Sequence, residues 1–79
     1  MSTFHLELAP DAGLLCRVIG LIAQRDLEIE RIAAQPDRAG MLRLSLEVRD
    51  LDASSESIVA AKMARLVGVT ALRMEAAAA

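Results

Sequence analysis

From Met41 to Arg49 the chain reads MLRLSLEVR, with Leu42, Leu44, Leu46 and Val48 at every second position and Arg43, Ser45, Glu47 and Arg49 between them. Side chains of an extended backbone alternate between its two sides, so this stretch is a strand with one buried and one wet face. Thr3 to Ala9 repeats the pattern, with Phe4, Leu6 and Leu8 on one side and His5 and Glu7 on the other. Two half-buried strands need an apolar layer on one face only, and the rest of the chain must supply it.

The intervening segments have the other period. Pro10 and Asp11 break the first strand, and Asp11 serves as N-cap to a helix carrying Leu15, Val18, Ile19 and Ile22, which ends near Arg25. Asp26 then reverses the chain in a left-handed conformation that Asp tolerates better than most residues. A second strand is expected from Leu27 to Ala34, bulged because Ile29 and Ile32 fall on opposite sides of a strict alternation, and suited to a sheet edge. Pro36 to Gly40, PDRAG, is the hairpin connection to the Met41–Arg49 strand. A second helix runs from about Ser54 to Leu66 with Val59, Met63 and Leu66 on one face, stopped by Gly68, and Val69 to Glu75 is the fourth strand.

The order βαββαβ predicts an α+β ferredoxin-like sandwich: a four-stranded antiparallel sheet with two helices on one face. The other face carries His5, Glu7, Arg43, Glu47 and Arg49 and meets water or a polar partner. Residues 1–75 form one domain, and Ala76 to Ala79 are expected to be a disordered tail.

At 79 residues, a chain buries only roughly 60% of its unfolded surface, so help from a partner is expected. With 54% hydrophobic residues and Phe4 the sole aromatic, the core is built from aliphatic side chains and Met. A net charge of −2 and one aromatic residue leave neither the basic patch nor the stacking platform that nucleic acid requires. Cys16 is the only cysteine and His5 the only histidine, so there is no internal disulfide, no metal-ligand cluster and no expected cofactor. No apolar run or leader suggests a membrane, and the chain reads as cytoplasmic.

His5 and Cys16 are the residues from which a catalytic reading would start. His5 lies beside Glu7 in a solvated row, and Cys16 has no histidine nearby in sequence and lies in line with Gly20 and Ala23. Neither implies an enzyme. Cys16, Gly20 and Ala23 sit at i, i+4 and i+7 and make a stripe of small side chains that admits close packing. The simpler occupant is the second helix, rich in Ala60, Ala61 and Ala64, and the alternative is another chain. Ala9 to Leu15, APDAGLL, opens the first helix with a glycine, so its backbone N–H groups can hold a carboxylate, or Gly13 simply suits the loop. Asp11 opposes an anion there but can pair with an ammonium group.

With this order in hand, Arg17 to Ile32, RVIGLIAQRDLEIERI, resembles the ACT domain, and within it the small regulatory subunits of acetolactate synthase (acetohydroxyacid synthase). The similarity lies in the Arg-Val-Ile-Gly-Leu helix, its Gln-Arg ending and the Ile-Glu of the next strand, and continues in Ala64 to Val69, ARLVGV. The resemblance implies a homodimer that joins sheets side by side, bound to a thiamine-diphosphate-dependent catalytic subunit of branched-chain amino-acid biosynthesis. It implies a regulatory role without catalytic residues. It also implies an amino-acid effector held between the first loop of one copy, Asp11, Ala12, Gly13 and Leu14, and the second strand of its neighbour, Glu28 and Ile29. Contact with the second copy or the partner is expected through Cys16, Gly20, Ala23, Glu30 and Ile32. Pro10 and Glu28 stand where valine-sensitive members carry asparagines, and neither reproduces an amide's donor and acceptor. In length the chain is nearer the short, valine-insensitive kind. The alternative is a free-standing module that senses an amino acid for some other partner.

Overall fold

The computed structural model describes residues 2–76. Its elements are β1 (Ser2–Leu8), α1 (Ala12–Ala23), β2 (Ile29–Pro36), β3 (Leu42–Val48), α2 (Ala53–Ala64) and β4 (Val69–Ala76). The strands form one antiparallel sheet in the order β2-β3-β1-β4, the ferredoxin-like arrangement expected from the sequence. The ladder aligns the alternating apolar residues into rows: Ile32, Leu46, Phe4 and Met74 in one, Ala34, Leu44, Leu6 and Leu72 in the next. Leu14, Val18 and Ile22 of α1 and Val59 and Met63 of α2 pack on the central part of these rows.

The buried line of α1 differs from expectation by one step. Leu14, Val18 and Ile22 point inward at i, i+4 and i+8, while Leu15 and Ile19 are half-buried flanks. α1 also stops at Ala23, where Gln24 closes the last turn by donating its N–H to the Gly20 carbonyl. Asp11 caps the start as expected, its carboxylate accepting the Gly13 N–H at 2.8 Å. Asp52 does the same for α2, accepting the Ser55 N–H at 2.7 Å. The carboxylate of Glu56 in the first turn of α2 accepts the hydroxyl of buried Ser2, tying this helix to β1.

Asp26 adopts the expected left-handed backbone, φ 53°, and Asp50 does likewise at φ 57° after β3. The bulge in β2 is real. Ile29 pairs with Val48 and Arg31 with Glu47, which leaves Glu30 as the extra residue and puts Ile29 and Ile32 on one side. β2 starts later and runs two residues further than its apolar pattern suggests, because the ladder continues to Pro36 opposite Leu42. β4 includes Ala76 opposite Ser2, which corrects the tail expected to begin at Ala76; residues 77–79 of that expectation lie outside the described residues.

Candidate functional site

The N-terminal loop of α1 and the start of β2, which the sequence nominated together, lie at opposite ends of α1. Twelve residues of helix span about 18 Å, so one copy cannot close a single small-molecule site from both. Asp11, Ala12 and Gly13 are exposed, and the Gly13 N–H is already engaged by Asp11. Leu14 is a core residue, 3% exposed, and offers a ligand only its backbone. Glu28 is exposed and Ile29 half-buried against the core. Asp26, Leu27, Glu28, Arg49 and Asp50 line a pocket of about 240 Å³ at this end of β2. It is acidic in balance, since Arg49 directs its guanidinium to the Glu30 carboxylate.

The small-residue stripe does not receive α2. Cys16 and Ala23 are exposed, and a Cβ added at Gly20 would meet nothing within 4 Å. The expectation of an intramolecular contact is therefore corrected: the stripe lies on a free flank of α1. The exposed edge strand adds to this uncovered surface. Ile32 shares its row with Leu46 and Phe4, yet it is 47% exposed while they are fully buried. Ala34 and Pro36, on the same side of β2, are exposed too. From Ile32 onward, β2 is left uncovered by the two helices, whereas Ile29 at its start packs on the core.

The opposite face of the sheet is polar, as expected. His5 bridges Ser45 and Glu75 across three strands, with Nδ1 3.2 Å from the Ser45 hydroxyl and Nε2 3.0 Å from the Glu75 carboxylate. Glu7 accepts the Thr70 hydroxyl at 3.0 Å, and Arg31 lies 3.9 Å from Glu47. The Ser45, His5 and Glu75 line has the residue types of a hydrolytic triad, but Ser45 and His5 sit opposite each other on the two central strands. Backbone N–H groups there serve the ladder on both sides, so none is free to stabilise an oxyanion. The line ties β3, β1 and β4 together at the surface.

Two features escaped sequence reading. Gly68 does not stop α2 as expected: the helix ends at Ala64 with Arg65 as its C-cap, two residues short of Leu66. Gly68 instead has φ +103°, accepts the Ala9 N–H at 2.8 Å and packs where a Cβ would come 2.7 Å from Leu14. The PDRAG hairpin was read as a connection, yet with Gln35 and Arg43 it lines an open pocket of about 690 Å³. The signal was present in the even spacing of Gln35 and Arg43 about the turn, which places both in one row with Glu7.

The family model for the ACT-like domain matches residues 1–79. The chain belongs to the ACT-like domain family. No curated protein matches it in sequence. Among solved structures, the ACT domain of GTP pyrophosphokinase from Chlorobium tepidum superposes with a TM-score of 0.78 at 15% identity, covering 94% of this chain and 95% of that one. The C-terminal domain of the MgtC protein from Mycobacterium tuberculosis gives a TM-score of 0.81 at 12% identity, covering 96% and 85%. A formyltetrahydrofolate deformylase from Pseudomonas putida gives 0.72 at 16% identity, where this ACT-like domain covers 96% of itself and 28% of the deformylase. At these identities the likeness is one of fold. No helix among the described residues is long and apolar enough to cross a membrane.

Proposed function

We propose that this ACT-like domain is a regulatory module that works as a pair of copies joined through β2, and that it serves as a small regulatory subunit of acetolactate synthase. The observation that carries the pairing is the bare helix-side face of β2, with Ile32 47% exposed beside a fully buried row. β2 also has a free backbone edge, since it is the last strand of the sheet. A two-fold axis beside β2 would pair the strand antiparallel with its own copy.

That pairing gives the two separated ends of α1 a use. β1 and β2 both run antiparallel to β3, so the end of β2 and the start of α1 share one end of the domain. Across the two-fold axis, Glu28 and Ile29 of one copy then approach the Asp11–Gly13 loop of the other. An amino-acid effector seated there bridges the copies, its ammonium group on Asp11 or Glu28. The choice of acetolactate synthase rests on the resemblance of Arg17 to Ile32 alone. In this reading the chain contributes no catalytic group and acts by shifting its partner between arrangements.

The test is to add the purified chain back to a thiamine-diphosphate-dependent catalytic subunit from the same genome. Association with a rise in acetolactate formation is the expected result. With no association and no activation, the acetolactate reading falls and a sensing module for another partner remains. Thermal-shift titration with a panel of amino acids examines that second reading directly. A ligand at 100 times its dissociation constant adds about 2.7 kcal/mol, and a flat response to every amino acid removes the sensing role.

A further inference from the structure

The hairpin pocket takes nothing from the loop of α1 and shares only Gln35 and Pro36, at the end of β2, with the proposed pairing strand. Gln35, Pro36, Asp37, Arg38, Ala39 and Arg43 line it, and its volume of about 690 Å³ is within the range of small-molecule sites. Neither Arg38 nor Arg43 has a carboxylate within 4 Å among the described residues. Arg43 stands opposite Glu7 in the ladder, but the Glu7 carboxylate is held by the Thr70 hydroxyl at 3.0 Å. Asp37, the one acid in the lining, is tied into the turn: its Oδ1 accepts the N–H groups of Ala39 at 2.8 Å and Met41 at 3.0 Å. The pocket therefore presents two guanidinium groups and the Gln35 amide, with one oxygen of the still-charged Asp37 carboxylate turned to the hairpin backbone.

Charge across the molecule leans the same way. Arg38, Arg43, Lys62 and Arg65 lie at the hairpin end with the acids Glu7, Asp11 and Asp37, whereas Asp26, Glu28, Asp50 and Asp52 lie at the other end with Arg25 and Arg49. In a chain with net charge −2, this leaves the hairpin end with a small positive balance. Two guanidinium forks suit a dianion better than a single carboxylate, since each can engage a phosphate in paired hydrogen bonds. A phosphate monoester carries about −1.5 to −2 charges at neutral pH, which two arginines match.

We infer that the β2–β3 hairpin pocket binds the phosphate group of a small phosphorylated molecule through Arg38 and Arg43, with Gln35 as a further donor. The site uses none of the residues of the amino-acid site proposed above and does not depend on it, and the proposed pairing would bring the two sites to the same end of the sheet.

The experiment is a two-dimensional amide NMR titration of the full chain with inorganic phosphate, at ionic strength held constant with chloride, and a parallel titration with acetate. Saturable shifts confined to Arg38, Ala39, Gly40 and Arg43 with phosphate, and much weaker ones with acetate, are the expected result. R38Q and R43Q should each weaken phosphate binding by about tenfold or more while leaving the far-UV circular dichroism unchanged, because both side chains are exposed. Any of three outcomes overturns the inference: no saturable shift at the hairpin, acetate binding as tightly as phosphate, or unchanged binding in R38Q,R43Q.

Discussion

Gly68 and Gly20 are both single glycines beside a helix or within one, and the structure gives them opposite requirements. Gly68 combines φ +103° with a Cβ position 2.7 Å from the Leu14 side chain, itself part of the core. An alanine there must strain the backbone and displace Leu14, so G68A is expected to cost about 1–3 kcal/mol. In a domain of this size that lowers Tm by roughly 4–8 °C for each kcal/mol, readable by thermal denaturation. Gly20 has helical backbone and open space where its side chain would stand. In the isolated chain G20A should therefore stabilise the fold by about 1 kcal/mol, the helix-propensity difference. A drop in Tm on G20A that persists in the I32K monomer would show that the flank of α1 is occupied within a single copy.

The two helices are capped by aspartates, and the α2 cap responds to acid. The Ser55 N–H bonded to Asp52 is the largest of the influences that hold its carboxyl below the usual carboxylate range. A depressed folded value means that the stabilisation is complete above the pKa of an unfolded aspartate and is lost as pH falls through the lower folded value. Helicity measured by far-UV circular dichroism should thus decline on acidification in the wild type. D52N keeps a capping oxygen that does not titrate, and that part of the acid response should disappear, whereas D52A should lack the cap at every pH.

These elements were readable in the sequence because their signals are local. Asp11, the 41–49 alternation, the Ile29–Ile32 phase break and Asp26 each specify the conformation of their own few residues. What escaped depends on contacts between distant segments. The one-step rotation of α1 that buries Leu14 is set by Gly68 and β1. The exposure of Cys16 and Ala23 follows from how the helices sit on the sheet, which no window of sequence encodes. The hairpin pocket depends on Glu7 choosing Thr70 over Arg43, a preference between two partners that only the assembled sheet decides.

At the scale of the whole molecule, two helices over four strands leave β2 bare from Ile32 onward, and the halves of the amino-acid site nominated by the sequence lie about 18 Å apart along α1. The proposed pairing through β2 would account for both facts together, so under that proposal assembly and effector binding should stand or fall as one. I32K puts a charge into the middle of the bare strip while sparing the monomer, because Ile32 is already 47% exposed. Sedimentation should show a dimer for the wild type and a monomer with unchanged circular dichroism for I32K. Pro10 and Glu28 stand where the valine-sensitive small subunits that the sequence resembles carry asparagines, so on the proposed reading P10N,E28N should gain a thermal shift with valine that the wild type lacks. Adding I32K to that pair should abolish the gain, since each half-site then faces water. A valine shift that survives in the I32K monomer would place the site within one copy and separate effector binding from pairing.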